Sequence, residues 1–183
     1  MTQQHLPIWY MGQIDPSVCD KAIDEFDLLP EKDAVMGVSG ELADKNRRST
    51  IIKFADSGHW LGDIMFNHVL AANVACQWDY LMTGHENVQY GQYVAGQHYG
   101  WHTDTFTLSG VPNERKISIT CLLNDPSEFE GGDFLIRLYA DYKPELKKGS
   151  LIAFPSILEH QVLPITSGIR KSAVIWAYGP RFR

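Results

Sequence analysis

The second half of the chain constrains the fold most. From residue 88 onward, short β-type runs follow one another at 88–94, 117–123, 134–138, 151–154, 161–165 and 172–178. Turn-forming clusters separate them, among them Asn124-Asp125-Pro126, Gly131-Gly132-Asp133 and Lys147-Lys148-Gly149-Ser150. Parallel strands need crossovers of a dozen or more residues, usually helical, and no helical stretch lies between the later runs. A parallel α/β sheet is therefore disfavoured. Short strands joined by tight turns close instead into a sandwich or jelly-roll barrel.

The first half reads differently. Asp15-Pro16 pairs an N-cap residue with proline at the first helical position. Residues 17–28 then carry Val18, Ala22, Ile23 and Phe26 at helical spacing. Residues 31–48 are polar and glycine-dotted and read as a loop, and 49–54 as a strand. A second helix is expected over 61–78, with Ile64, Met65, His68, Ala72, Ala75 and Trp78 near one face. Helices early and strands late give an α+β fold in which N-terminal helices buttress the β structure. No linker, repeat or low-complexity tract divides the 183 residues, so one domain is expected over 1–183.

Composition narrows the function classes. With 44% hydrophobic and 21% charged residues the chain has the balance of a globular protein. A net charge of −6 speaks against a broadly basic nucleic-acid binder. No run of about 18 apolar residues offers a membrane span. The first residues, Met1 to Pro7, lack the basic and apolar regions of a secretion signal. Cys19, Cys76 and Cys121 are odd in number, widely spaced and without CxxC spacing, which suits reduced, buried thiols in a cytoplasmic protein.

The chemistry concentrates at His102-Thr103-Asp104. On an extended strand, residues two apart share a face, so an imidazole and a carboxylate can be presented together. Alone the pair is a weak signal, equally a surface histidine with an acidic neighbour. His160, just before another expected strand, changes that. Two histidines and one carboxylate form the facial triad of non-haem Fe(II) oxygenases, with coordination positions left open, although zinc could take the same ligands. Arg170 follows ten residues later. A turn and a strand could return it to the pocket, where its guanidinium suits bidentate pairing with a carboxylate.

In this order, His102-x-Asp104 … His160 … Arg170 with Trp176 beyond, the chain resembles the prolyl 4-hydroxylase-type 2-oxoglutarate/Fe(II) dioxygenases. Tyr93 stands nine residues before His102, similar to the family's approach to its H-x-D. Leu122-Leu123-Asn124-Asp125 followed by Gly131-Gly132 is similar to its "LND … GG" pattern. Lys148 to Pro155 resembles the strand entering the second histidine. The resemblance spans roughly 90–178, with Arg48-Ser49 fitting more loosely. It implies a double-stranded β-helix, or jelly roll, with Fe(II) on His102, Asp104 and His160. It further implies 2-oxoglutarate and O₂ as cosubstrates, and ascorbate as a reductant that keeps the iron reduced. Arg170 would pair with the distal carboxylate of 2-oxoglutarate, and Tyr93 would be a hydrogen-bond donor to it. The implied reaction hydroxylates an unactivated C–H bond and releases succinate and CO₂.

The leading expected substrate is a prolyl residue in a peptide or protein, with no nucleic-acid or membrane partner. A free amino acid or small metabolite would need the same iron site. The stretch 34–48 is a candidate lid. The resemblance also makes Arg115 and Trp176 candidate substrate contacts, although Glu114-Arg115-Lys116 also reads as a charged strand entry. One departure stands out: where oxygen-sensing relatives carry a cosubstrate-binding tyrosine, this chain has Leu122, leaving Tyr93 or Ser172 to complete the pocket. Two competing readings remain on the page. His98 and His102 have the spacing of a zinc pair, but lack the glutamate of HExxH and enclose a glycine. A jelly-roll binding module without catalysis is the other. Tyr90, Tyr93, Tyr99, Trp101 and Phe106 read either as core or as a substrate groove.

Overall fold

The structure, a computed structural model, describes residues 8–30, 35–36, 41–42, 50–105 and 112–181. Its strands are β1 (Tyr10–Gln13), β2 (Val35–Met36), β3 (Glu41–Leu42), β4 (Ile51–Phe54), β5 (Gly84–His85), β6 (Gln89–Val94) and β7 (Tyr99–His102). They continue with β8 (Asn113–Leu122), β9 (Phe129–Gly131), β10 (Phe134–Arg137), β11 (Asp141–Tyr142), β12 (Ser150–Pro155), β13 (Glu159–Val162) and β14 (Ile165–Pro180). Two helices precede most of them, α1 (Pro16–Asp27) and α2 (Trp60–Ala75).

A large sheet runs in the order β1-β12-β8-β14-β6-β4, with β5 and β9 also pairing β14, and a smaller one runs β11-β10-β13-β7. Every pairing among the described residues is antiparallel. From β6 onward the chain passes back and forth between the two sheets: β6 is in the large one, β7 in the small one, β8 in the large one. Later, β12, β13 and β14 repeat that alternation. Strands that change sheets at each turn need no helical crossover, which is why the second half of the sequence contains none. This is the expected jelly roll.

Period-two alternation sorts the side chains of the large sheet. Ile117, Ile119 and Cys121 of β8, Leu151 and Ala153 of β12, and Ala173, Ile175 and Ala177 of β14 form one buried cluster with the helices. α1 contributes Cys19, Ala22 and Phe26, and α2 contributes Leu61, Met65, Val69 and Ala72. The intervening residues face the small sheet, where Ile152 and Phe154 join Tyr93, Phe134, Ile136 and Val162 in a second cluster. Ser118 and Thr120 share that inner face, so β8 turns its apolar residues to the helices and its hydroxyls to the pocket. The helices cover the back of the large sheet, and the site opens at its front.

α1 starts as the sequence implies: the Asp15 carboxylate accepts hydrogen bonds from the Ser17 N–H (2.8 Å) and hydroxyl (2.6 Å), and Pro16 occupies the first turn. α2 differs from expectation. It ends at Ala75, not at 78, because Cys76 caps it and the Trp78 N–H closes back onto the Asn73 carbonyl. Its buried face runs Leu61-Met65-Val69-Ala72, while Ile64 and His68 are only half-buried and Ala75 is exposed. Of the residues that periodicity put on that face, Met65 and Ala72 are buried as expected and the others are not. Within the supposed loop 31–48, β2 pairs β3; the rest of that stretch, including most of the candidate lid, lies outside the described residues.

The three cysteines are buried and unpaired by disulfides. No helix among the described residues is long and apolar enough to cross a membrane. Because Met65 is fully buried between α2 and the sheet, Met65→Ala should remove about 2–5 kcal/mol of stability. Asp15→Ala, which loses only a cap, should remove about 1 kcal/mol. Urea unfolding of the two variants checks that ranking.

Candidate metal and cosubstrate site

Pairing of β7 with β13 sets His102 directly opposite His160. Asp104 lies two residues beyond His102, past the end of β7. The sequence argument put both on one strand, but a turn does the work instead: the Asp104 N–H donates to the Ser156 carbonyl at 2.9 Å. Ligand atoms of the three side chains all lie within 4.8 Å of one another, and all three residues are buried. Asp104 Oδ1 is 3.8 Å from His102 Nε2, and Oδ2 is 3.3 Å from His160 Nε2.

The hydrogen bonds around the triad orient its donors. His102 Nδ1 lies 2.8 Å from the Gly100 carbonyl, and His160 Nδ1 lies 3.1 Å from that of Leu158. A carbonyl only accepts, so each Nδ1 carries a proton, which leaves Nε2 as the nitrogen whose lone pair a metal would take. Metal-binding histidines are held in this way. The Ser118 hydroxyl donates to Asp104 Oδ2 at 2.7 Å and meets the Ser156 hydroxyl at 2.9 Å. Burial would raise the Asp104 pKa, but His160, as charge and hydrogen-bond partner, then His102 and Arg115, hold it well below the usual carboxylate range. Two inward imidazole nitrogens and one ionised carboxylate make up the two-histidine, one-carboxylate donor set that suits Fe(II).

As expected, a short link after β13 leads into the strand that carries Arg170: it lies inside β14, paired in register with Tyr93. Only 2% of it is exposed. Its guanidinium sits 5.7 Å from the Tyr93 ring centroid and has no hydrogen-bond or ion-pair partner among the described residues. Burial lowers its pKa, opposed by Tyr93, Cys121 and Asp133. Asn124 fixes the strand around it: its side chain donates to the Ile169 carbonyl and accepts from the Lys171 N–H, both at 2.8 Å. The asparagine of "LND" thus clamps the residues on either side of Arg170. Gly132 leaves room for it. With φ at +66°, a Cβ there would approach Ile165 Cδ1 to 2.3 Å and Arg170 Cδ to 3.0 Å. A cavity of about 320 Å³ adjoins Arg170, Leu122 and Phe134.

On the other side of the triad, Trp176 pairs with Ser118, the residue that holds Asp104. The indole Nε1 is buried and without a hydrogen-bond partner. Arg115 lies over the indole at 3.9 Å and makes a two-pronged ion pair with Glu86, at 2.5 and 2.6 Å. Glu86 also donates its N–H to the Trp176 carbonyl at 2.9 Å. Sequence reading singled out Arg115 and Trp176 but missed Glu86, since a carboxylate 29 positions from its partner has no local pattern. The aromatics divide: Tyr99 stacks on His102 at 3.5 Å, Trp101 faces Arg137 at 3.8 Å, and Tyr90 turns away to stack on Phe26 of α1. Phe106 lies outside the described residues. His98 is not part of the metal-ligand cluster.

Comparison with known proteins agrees with this geometry. The 2OG-Fe(II) oxygenase superfamily matches residues 88–178. A PKHD-type hydroxylase of Stenotrophomonas maltophilia is 35% identical over 92 residues, which cover 48% of this chain and 41% of the relative. The chain therefore spans less than half the length of that curated relative. A Pseudomonas putida prolyl-4-hydroxylase superposes with a TM-score of 0.71 at 19% identity, over 96% of this chain and 94% of the other. A Trichoplax adhaerens prolyl hydroxylase, in complex with a hypoxia inducible factor oxygen degradation domain peptide fragment, gives 0.73 at 15% identity, over 93% and 83%. Ligand set, family match and fold converge: the chain belongs to the 2OG-Fe(II) oxygenase superfamily and has the fold of its prolyl hydroxylases.

Proposed function

We propose that residues 1–183 form one catalytic unit that uses Fe(II), 2-oxoglutarate and O₂ to hydroxylate a prolyl residue in a peptide or protein. The observation that carries this reading is Arg170, a buried guanidinium without an anionic partner among the described residues, on β14 beside Tyr93, which packs in the cluster between the large sheet and the small sheet that bears the two histidines. A buried, unpaired cation is costly, and a dicarboxylate cosubstrate would relieve it. His102, Asp104 and His160 would hold the iron. Bound there, iron and 2-oxoglutarate would supply the oxidising power that O₂ alone lacks towards a C–H bond, leaving succinate and CO₂.

The chain's own groups bind, orient and exclude water. Gly100 and Leu158 carbonyls keep both imidazoles in the ligating tautomer, and Ser118 keeps Asp104 turned towards them. Arg170 would grip the distal carboxylate, with Tyr93 beside it. Leu122 offers no hydrogen bond there, so the second donor is Tyr93 or Ser172. Trp176 would donate its unpartnered indole N–H to a substrate carbonyl, and Arg115, tied to Glu86, would hold the indole flat. An amide carbonyl next to the oxidised carbon favours a peptide over a free metabolite. The peptide complex of the Trichoplax relative supports the same choice.

Mass spectrometry of a proline-containing peptide panel, read together with succinate, tests the substrate. Oxygen addition to free amino acids alone would move the assignment to a small-molecule hydroxylase. His160→Ala should abolish Fe(II) binding and succinate formation; retained turnover would sink the metal assignment. Arg170→Ala should raise the 2-oxoglutarate KM by about 10- to 100-fold, the loss expected for hydrogen bonds to a charged group. Trp176→Phe keeps the ring under Arg115 but removes the N–H. It should raise the peptide KM about fivefold and leave the 2-oxoglutarate requirement unchanged, whereas an unaltered peptide KM would remove Trp176 from substrate contact.

A further inference from the structure

His102 is carried by a strand with few bonds of its own. Among the described residues, β7 stands at the end of the small sheet and pairs β13 at two positions, His102 with His160 and Tyr99 with Val162. Three steps along β7 thus match two along β13, so Gly100 and Trp101 together oppose Gln161 in a β-bulge. Plain alternation would put Tyr99 and His102 on opposite faces. The extra residue puts them on one face, where their rings stack at 3.5 Å. Within the bulge the Gly100 carbonyl accepts the His102 Nδ1 proton at 2.8 Å, the bond that fixes the ligating tautomer.

Trp101, the other bulged residue, meets Arg137 of β10. Ile136 and His160 pair in register and face inward, so Arg137 and Glu159, their chain neighbours, face out. On that outer face the Arg137 guanidinium lies over the Trp101 indole at 3.8 Å. Its Nε and Nη2 donate to the two carboxylate oxygens of Asp141 on β11, at 2.6 and 3.1 Å. Nη1 stands 3.8 Å from Glu159 on β13. One side chain therefore reaches every strand of the small sheet, and its flat face rests on the bulge.

We propose that Arg137 and Trp101 are positioning residues for the metal: together they clamp the bulge from outside the barrel and so aim His102 at the other two ligands. The assignment rests on the metal role given to the triad above, and adds two residues that touch neither the triad's ligand atoms nor the cosubstrate arginine. The clamp needs arginine, whose planar fork pairs at its edges while its face stacks on a ring; a lysine ammonium is a point charge and cannot do both. It also needs an aromatic ring, since the ring face is what attracts the cation. Partly exposed ion pairs hold little by themselves. Here they act on a short strand whose small displacement moves a ligand nitrogen, and outer supports of metal ligands commonly carry about 10- to 100-fold in metal affinity.

Titration of the full chain with Co(II), which takes the same nitrogen and oxygen donors as Fe(II), tests the clamp by calorimetry and by the visible ligand-field bands of the bound ion. Arg137→Lys and Trp101→Leu should each weaken Co(II) binding about tenfold and alter the bands. Trp101→Phe keeps a ring under the guanidinium and should stay within about threefold of the unaltered chain. The double variant, Arg137→Lys with Trp101→Leu, should lose no more than the worse single one, because both changes break one contact. A merely structural role would lower the unfolding temperature and leave the Kd and bands of the folded protein where they were. Unchanged Co(II) affinity in folded Arg137→Lys overturns the inference, as does a fully additive loss in the double variant. If Trp101→Leu does not fold, Arg137→Lys, a change at a partly exposed side chain, decides alone. Failure of the unaltered chain to bind Co(II) would instead overturn the metal assignment itself, and the clamp with it.

Discussion

Antiparallel pairing of β7 with β13 is the contact on which the site depends. It sets His102 opposite His160 on neighbouring strands of the small sheet, so two residues far apart in the chain become cross-strand neighbours. The register is held from both sides. β10 pairs β13 along Phe134 to Arg137, and Phe134, Phe154 and Val162 pack the space between the sheets. A slip of one residue would turn His160 to the opposite face, since side chains alternate along a strand. Catalytic geometry here is a consequence of sheet register, and the register is enforced by apolar packing.

Around that contact the protein buries polar groups in two different ways. Asp104 is compensated: Ser118 and two imidazoles surround it, and the carboxylate stays ionised. Arg170 and the indole N–H of Trp176 are not compensated among the described residues. Buried donors without acceptors are destabilising, and the fold carries them where the proposed ligands would supply the missing acceptors. Supports for both come from outside the site, Asn124 gripping the strand around Arg170 and the Glu86–Arg115 pair bracing Trp176. The helices take no part in the chemistry. They cover the back of the large sheet so that its front can be polar.

Much of this was legible one residue type at a time. Asp15-Pro16 announced α1 because capping is local chemistry, and the β runs announced themselves because turns and alternation are local too. The phase of α2 was legible only in part: Met65 and Ala72 are on the buried face, but Ile64 is as apolar as Met65, and only contact with β8, β12 and β14 decides which of the two is buried. His102, Asp104, His160 and Arg170 could be chosen by order and spacing, yet the reason Asp104 joins them was misplaced. It is brought in by its hydrogen bond to Ser156, not by the pleat, whereas Arg170 comes back on the expected strand, in register with Tyr93. Glu86 left no signal, because its meaning lies wholly in Arg115 and Trp176.

By itself, then, the sequence determined the class of fold and the set of groups available for chemistry. Strand runs without helical crossovers disfavour a parallel sheet, and a short ordered series of His, Asp, His and Arg points to a metal with an anion-binding arginine. The tertiary structure decided what those groups face. Tautomer, ionisation and lack of a partner are properties of surroundings assembled from distant strands. So is the space beside Arg170: Leu122, Gly132 and Leu146 bound a cavity only once β8, the turn before β10 and the segment before β12 have been brought together, because volume left unfilled is a property of packing and has no local sequence pattern.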